Sequence, residues 1–275
     1  MENKIVDIQS PQALEGLVPF IKDAGYVSFD LETESLRFQD RILSLQMTVD
    51  NVTYYLPFTT IPELREEKPF KKPKPKKGKK QEQEAPKVIQ EALFDMGAIS
   101  LDFHKIEQEV TAEVEEKKPL FDNFENFEDY SAVFVDFDEC RAGLKAIFSD
   151  PDIRKYAHNM KFDAQFLIYR GIDVLNWYFD PMLAAWQLKE DRMSYELKVL
   201  IKEFYDIDTP TFKQLVGDRY YWELSDEQMR KYACDDPVYT MMLADKFKLL
   251  IVADTAPFSV NTGWQFFKEQ MMGVA

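Results

Sequence analysis

Asp30 and Glu32 are two carboxylates set two residues apart in the stretch from Tyr26 to Leu36, which reads as a strand running into a turn. On a strand alternate residues share a face. Val27, Phe29 and Leu31 then point into a core, while Ser28, Asp30 and Glu32 point the other way. Two carboxylates held that close repel, and a proton, a basic side chain or a divalent cation must compensate them. No Lys or Arg lies between Asp23 and Arg37, which favours the cation, with basic partners distant in sequence left open. Taken alone, such a pair also reads as solvated carboxylates on an edge strand. Two further pairs stand four residues apart: Asn159 with Asp163, and Tyr232 with Asp236. Four residues on a helix is one face, so each pair can overlook one site. Each also has a plainer reading: Asn159 as a helix cap, Tyr232 as a half-buried core ring, Asp236 as a cap before Pro237.

The elements that must carry these groups follow from periodicity and punctuation. Residues 5–8 predict a short edge strand. Ser10-Pro11 supplies an N-cap and a first-turn proline, Leu14, Leu17, Val18 and Ile21 recur at helical spacing, and Gly25 stops the helix. Residues 41–49 and 52–56 read as strands joined by a turn at Asp50-Asn51. Residues 136–148 predict an amphipathic helix, 153–157 a strand, and the run from His158 to Gly171 a further helix, placing Asn159 and Asp163 at a strand end, where open α/β sheets put ligands. Helical segments follow over 181–188, 195–205, 226–233 and 238–253. Pro237 disfavours helix in the residue before it, so a kink or restart is expected there. Strands early and helices late, with β-α alternation, imply an α/β fold.

Residues 61–131 differ in character. Lys71 to Lys80 is basic and Pro-rich, and an acidic stretch runs from Glu107 to Glu116 and on through Phe121, Phe124 and Phe127 to Asp129. This is expected to be a charged, partly disordered insertion. A solvated excursion, a phosphate-contacting arm and an aromatic-acidic docking segment are its three readings.

The bulk numbers narrow the function. A chain of 275 residues, 45% hydrophobic, suits one large domain or one domain with an insertion. A net charge of −15 argues against a broad nucleic-acid grip but not against a small metal-bridged contact. Two histidines make a His-rich zinc site a poor reading, so hard cations on carboxylates fit better. Two cysteines and no signal-peptide apolar region predict an intracellular, soluble protein, cytoplasmic or nucleoid-associated, with no membrane partner.

In order along the chain, Asp30-x-Glu32, Asn159-x-x-x-Asp163 and Tyr232-x-x-x-Asp236 resemble the three motifs of the DEDD 3′–5′ exonucleases, tyrosine subgroup. The similarity is closest to the proofreading domain of family A DNA polymerases and covers roughly residues 5–60 and 133–253. It implies a ribonuclease-H-like α/β fold: a five-stranded mixed sheet flanked by helices, with the charged insertion after the third strand of the 41–56 meander. Residues 1–253 would be the exonuclease domain, and 254–275 a linker or the start of a following helix.

By that resemblance, Asp30, Glu32, Asp163 and Asp236 hold two divalent cations, Mg²⁺ or Mn²⁺, that clamp the scissile phosphate, and Tyr232 orients the attacking water. Leu36 resembles an apolar wedge between terminal bases. Thr33 and Asn159 would touch the terminal nucleotide, Phe162 would pack or stack beside it, Arg192 would meet a phosphate and Phe212 would lie against a base. For Phe212 a plain core position is the competing reading. The implied activity is removal of nucleoside monophosphates from single-stranded or frayed DNA 3′ ends, with a DNA polymerase, fused or separate, as partner. A ribonuclease D-like exoribonuclease and an inactive nucleic-acid docking module are the alternatives. No residue pattern sets an oligomeric state.

Overall fold

The computed structural model describes residues 4–67, 130–254 and 272. The elements are β1 (Lys4–Asp7), α1 (Pro11–Ala24), β2 (Tyr26–Thr33), β3 (Ile42–Val49), β4 (Val52–Pro57), α2 (Thr60–Glu67), α3 (Arg141–Phe148), β5 (Arg154–Tyr156), α4 (Met160–Tyr169), β6 (Trp177–Phe179), α5 (Pro181–Leu188), α6 (Leu197–Tyr205), α7 (Phe212–Val216), a 3₁₀ turn (Tyr221–Glu223) and α8 (Asp226–Asp254).

Among the described residues the strands make one six-stranded mixed sheet, ordered β1-β4-β3-β2-β5-β6. β2 runs antiparallel to β3 and parallel to β5. β3 and β4 form a hairpin in which Val49 faces Val52, so the turn is Asp50-Asn51 alone. Both turn residues have positive φ, 48° and 63°, the handedness a two-residue hairpin needs and one that Asp and Asn tolerate. The sixth strand, β6, departs from the expected five. Three aromatic residues are too few to show a strand period, and β6 exists because its backbone pairs with β5.

The two sides of β2 are covered differently. Val27, Phe29 and Leu31 are buried as expected, with Phe29 edge-on to Phe148 of α3 at 4.9 Å. α1 packs beside α3. A Cβ at Gly143 would come within 2.9 Å of the Leu14 side chain, so a glycine permits that close approach. α1 begins and ends as its sequence predicts: Ser10 accepts from the Ala13 amide at 3.1 Å, and Gly25 closes it at φ 71°. The opposite side of β2 is covered by α8, where Ser28 is fully buried and its hydroxyl donates to the Pro237 carbonyl at 2.7 Å.

Several boundaries move. α8 is one 29-residue helix running through Pro237 rather than two segments. An interior proline removes one helical hydrogen bond, but α8 packs on β2, β3, β4 and β5, and those contacts outweigh the local preference. α3 starts at Arg141, five residues later than periodicity suggests, because 136–140 turn back on themselves with the Glu139 amide on the Asp136 carboxylate at 3.0 Å. The expected insertion begins too early at 61. Ile61 and Leu64 of α2 are buried, and Arg65 bonds the Trp222 and Leu224 carbonyls at 2.7 and 2.9 Å. Asp226 joins the far side, taking Arg65 on one oxygen at 2.8 Å and the Ala132 amide on the other at 2.9 Å. The lysine-rich and acidic stretches, with Phe121, Phe124 and Phe127, lie outside the described residues, as does most of 254–275. Among the described residues no helix is long and apolar enough to cross a membrane.

Candidate active site

A cavity of about 610 Å³ opens where β2, the N-terminus of α4, α8 and the segment around α6 and α7 meet. Asp30, Glu32, Asn159, Phe162, Asp163, Phe212, Tyr232 and Asp236 all line it. Eight of the eleven residues singled out from sequence are thus brought together from four separate stretches.

Each carboxylate is fixed by its own element. Asp30 and Glu32 lie opposite Gln46 and Ser44 of β3, and the ladder slips just after Glu32, ending the regular strand there. Asp163 sits in the first turn of α4, 2% exposed, and accepts the Leu31 backbone amide. Tyr232 and Asp236 share a face of α8.

The start of α4 is set by Asp180, which sequence reasoning missed in this role. Its carboxylate accepts the Asn159 amide at 3.0 Å and the Met160 amide at 2.9 Å, and also caps its own helix through Met182 at 2.9 Å. Asn159 stands in the left-handed region at φ 59° and ψ 45°, with its side chain free of any capping bond. That conformation suits Asn more than most residues. It is the backbone of Asn159, held by Asp180, that turns the chain from β5 into α4. The Asp180-Pro181 pair, a cap followed by a first-turn proline, was the available signal.

Electrostatics dominate the site. Burial and the Asp236 charge, against a weaker opposite pull from Lys198, hold the Asp30 carboxyl well above the ordinary carboxylate range. Burial with Asp30 and Asp236 does the same to Glu32. Burial and Asp30 raise Asp163 well above its usual value, against the pull of the Leu31 amide. Asp236 is raised by burial and lowered by Lys198. Burial and the carboxylates around it also push the Tyr232 phenol upward, so it keeps its proton and acts as a hydrogen-bonding hydroxyl rather than a base.

Lys198, also outside the sequence-based set, is the distant basic partner. Its ammonium bonds the Asp236 carboxylate and lies 4.8 Å from the Tyr232 ring centre and 4.9 Å from that of Tyr239. His158 lines the same cavity, with Nε2 2.9 Å from the Tyr195 carbonyl. Burial lowers its pKa to about 4, which keeps the ring neutral.

Three expected contacts lie outside the cavity wall. Leu36 is 86% exposed on the loop after β2. Thr33 turns its hydroxyl to the Ser35 carbonyl at 2.9 Å. Arg192 pairs with Glu203 at 2.6 Å and lies 5.1 Å over Phe204, so its charge is already engaged. Phe212 is half exposed, stacked 6.1 Å from Tyr221 and edge-on to Tyr232 at 6.3 Å, which places it at the cavity and not in the core.

The profile of the family described as 3′-5′ exonuclease matches residues 110–251, just over half of the chain. The chain belongs to that family. The exonuclease domain is 31% identical over 126 residues to DNA polymerase I of Chloroflexus aurantiacus, a match covering 43% of this chain and 13% of that protein. The chain therefore spans about an eighth of that relative. In fold it is similar to Escherichia coli RNase D, an exoribonuclease, at TM-score 0.54 and 13% identity over 99% of this chain and 51% of that one. Brucella melitensis NrnC with bound Mg²⁺ is similar at TM-score 0.51 and 14% identity, over 99% of this chain and 95% of that one. These likenesses identify the ribonuclease-H-like fold.

Among the described residues no three His, Cys, Asp or Glu side chains already stand in a cation-holding arrangement. The donor set nevertheless suits a hard divalent ion: four carboxylates line one cavity, and burial, then neighbouring carboxylates, disfavour the charged forms of Asp30, Glu32 and Asp163, a cost that a bound cation offsets.

Proposed function

We propose that this domain is a divalent-cation-dependent 3′–5′ exonuclease that removes nucleoside monophosphates from single-stranded or frayed DNA 3′ ends, in the manner of proofreading. The observation that carries this reading is the convergence of Asp30, Glu32, Asp163, Asp236 and Tyr232 on one cavity. Similarity in sequence to a DNA polymerase I tilts the substrate toward DNA.

Asp30, Glu32, Asp163 and Asp236 would hold two ions, Mg²⁺ or Mn²⁺. Bound there, the ions supply an activated water and stabilise charge on the phosphate and leaving oxygen. The chain's own residues do the rest. Tyr232, kept protonated, holds the attacking water by its hydroxyl. Phe212 offers an exposed ring for a terminal base. Leu36, exposed on the loop after β2, would separate the last base from its neighbour. Asn159 and Phe162 bound the pocket for the terminal nucleotide, and Thr33 is close enough in sequence to Glu32 to meet it. Arg192 would have to leave Glu203 before it could meet a phosphate. A polymerase, fused or separate, would deliver the strand, because an acidic body at net charge −15 attracts DNA poorly.

The test is degradation of a 5′-labelled strand, DNA and RNA in parallel, with Mg²⁺, Mn²⁺ or chelator, beside Asp30→Asn. A one-nucleotide ladder on DNA, lost with chelator and with the variant, is the expected result. A ladder on RNA alone makes the domain an exoribonuclease. No ladder on either, with cation binding absent, returns it to a docking module.

A further inference from the structure

Lys198 stands where local rules place no lysine. It is the second residue of α6, in the first turn, where the helix dipole disfavours a cation. Its side chain is only 9% exposed. Something must hold it there, and the structure shows what: the ammonium bonds Asp236 between the Tyr232 and Tyr239 rings. It also favours the charged forms of Asp30, Glu32 and Asp235. One ammonium thus serves the cluster of carboxylates that the cations would otherwise neutralise.

Resting on the proposed metal-dependent function, we propose that Lys198 is a built-in counter-cation that competes with the divalent ion for Asp236, so that loading the site requires its release. An ammonium and a metal ion cannot both take the same carboxylate lone pairs at close range without strong repulsion. The flexible four-carbon stem lets the ammonium, now 4.8 and 4.9 Å from the two ring centres, move away from Asp236. A state in which Lys198 holds Asp236 lowers apparent metal affinity in proportion to its population. The device gives the metal-free protein a compensated core and sets the cation concentration at which the site assembles. Lys198 is here a positioning residue, acting through Asp236.

The experiment is calorimetric titration of the full chain, stripped with chelator, with Mn²⁺, comparing wild type, Lys198→Met and Asp236→Asn. Methionine keeps the packing and removes the charge. The expected result is Mn²⁺ binding tighter on the order of tenfold in Lys198→Met, the scale of one partly buried charge contact. A lysine that merely supports the fold would leave affinity unchanged or weaken it, and either result overturns the inference. If wild type binds Mn²⁺, Asp236→Asn loses it and Lys198→Met is unaltered, only the Lys198 inference fails. If wild type binds none, the metal-dependent reading fails with it. Should Lys198→Met not fold, a crystal structure of the wild type with Mn²⁺ decides: Lys198 displaced from Asp236 supports the competition, and Lys198 still bonded to Asp236 beside a bound ion overturns it.

Discussion

Ser28 and Pro237 are joined by a 2.7 Å hydrogen bond across 209 positions of sequence. The donor sits two residues before Asp30 and the acceptor one residue after Asp236. The bond fixes the strand that carries one half of the carboxylate cluster to the helix that carries the other. Ser28 is fully buried, so without the Pro237 carbonyl its hydroxyl would have no water to bond in its place. Ser28→Ala is expected to destabilise the fold by about 1–2 kcal/mol and to lower turnover by loosening the Asp30–Asp236 distance. Denaturant unfolding together with single-turnover kinetics checks both. Unchanged turnover at the expected loss of stability would show that the bond serves the fold alone.

Glu32→Gln separates stability from activity. In the metal-free protein, Glu32 is raised by burial and by Asp30 and Asp236. Removing its charge relieves that repulsion, so the variant should unfold at a higher temperature in chelator than wild type. Its nuclease activity should fall on the order of a hundredfold or more, and the Mn²⁺-dependent rise in melting temperature should shrink. A lower melting temperature in chelator would count against the repulsion argument.

The metal-free protein should lose stability as pH rises. Asp30, Glu32 and Asp163 have folded pKa values well above the ordinary 3.8–4.5. The folded state therefore keeps protons the unfolded chain has released, and this contribution, full at low pH, fades as pH climbs through the raised values. His158 works in the opposite sense: lowered from 6.5 to about 4, its contribution grows as pH rises between those values and is flat above. Above about pH 6.5 His158 no longer contributes; Asp235, raised to about 7 by burial, adds to the decline, while Lys155, lowered to about 8 by burial, opposes it as pH passes that value. Urea unfolding between about pH 6.5 and 7.5, below the Lys155 titration, should show the decline, and saturating Mn²⁺ should flatten it.

Asp180→Ala removes the acceptor of three backbone amides at two helix starts. The expected loss is about 2–4 kcal/mol, two caps at ~1–2 each. Because Asn159 is positioned through its own backbone, activity at a temperature where the variant is folded should also drop. Asp180→Asn retains part of the acceptor capacity and should recover part of both. Melting curves and initial rates measured side by side test this.

Leu36→Ala should leave stability within about 0.5 kcal/mol, since the side chain is 86% exposed. If Leu36 separates the terminal bases, the variant should degrade frayed or paired ends more slowly than single strands, with the single-strand rate less affected. Equal rates on both relative to wild type would remove Leu36 from the strand contacts.

Much of this protein is legible in one dimension because the relevant physics is local. The alternation of Val27, Phe29 and Leu31 with Ser28, Asp30 and Glu32 determines which face of β2 carries acids. The four-residue spacings determine that Tyr232 and Asp236 share a helix face. Ser10-Pro11 and Gly25 determine the ends of α1, and Asp50-Asn51 the hairpin.

What only the tertiary structure decided is what meets across long separations. β6 is a strand because β5 offers it a pairing edge. α8 stays continuous through Pro237 because four strands pack against it. The charge that answers Asp236 comes from Lys198, 38 residues away on another helix. Asp180 builds the turn at Asn159 from across the sheet end. Periodicity reports which face a side chain takes, because it depends on backbone geometry alone. Pairing of charges depends on distances through space, which no spacing along the chain encodes.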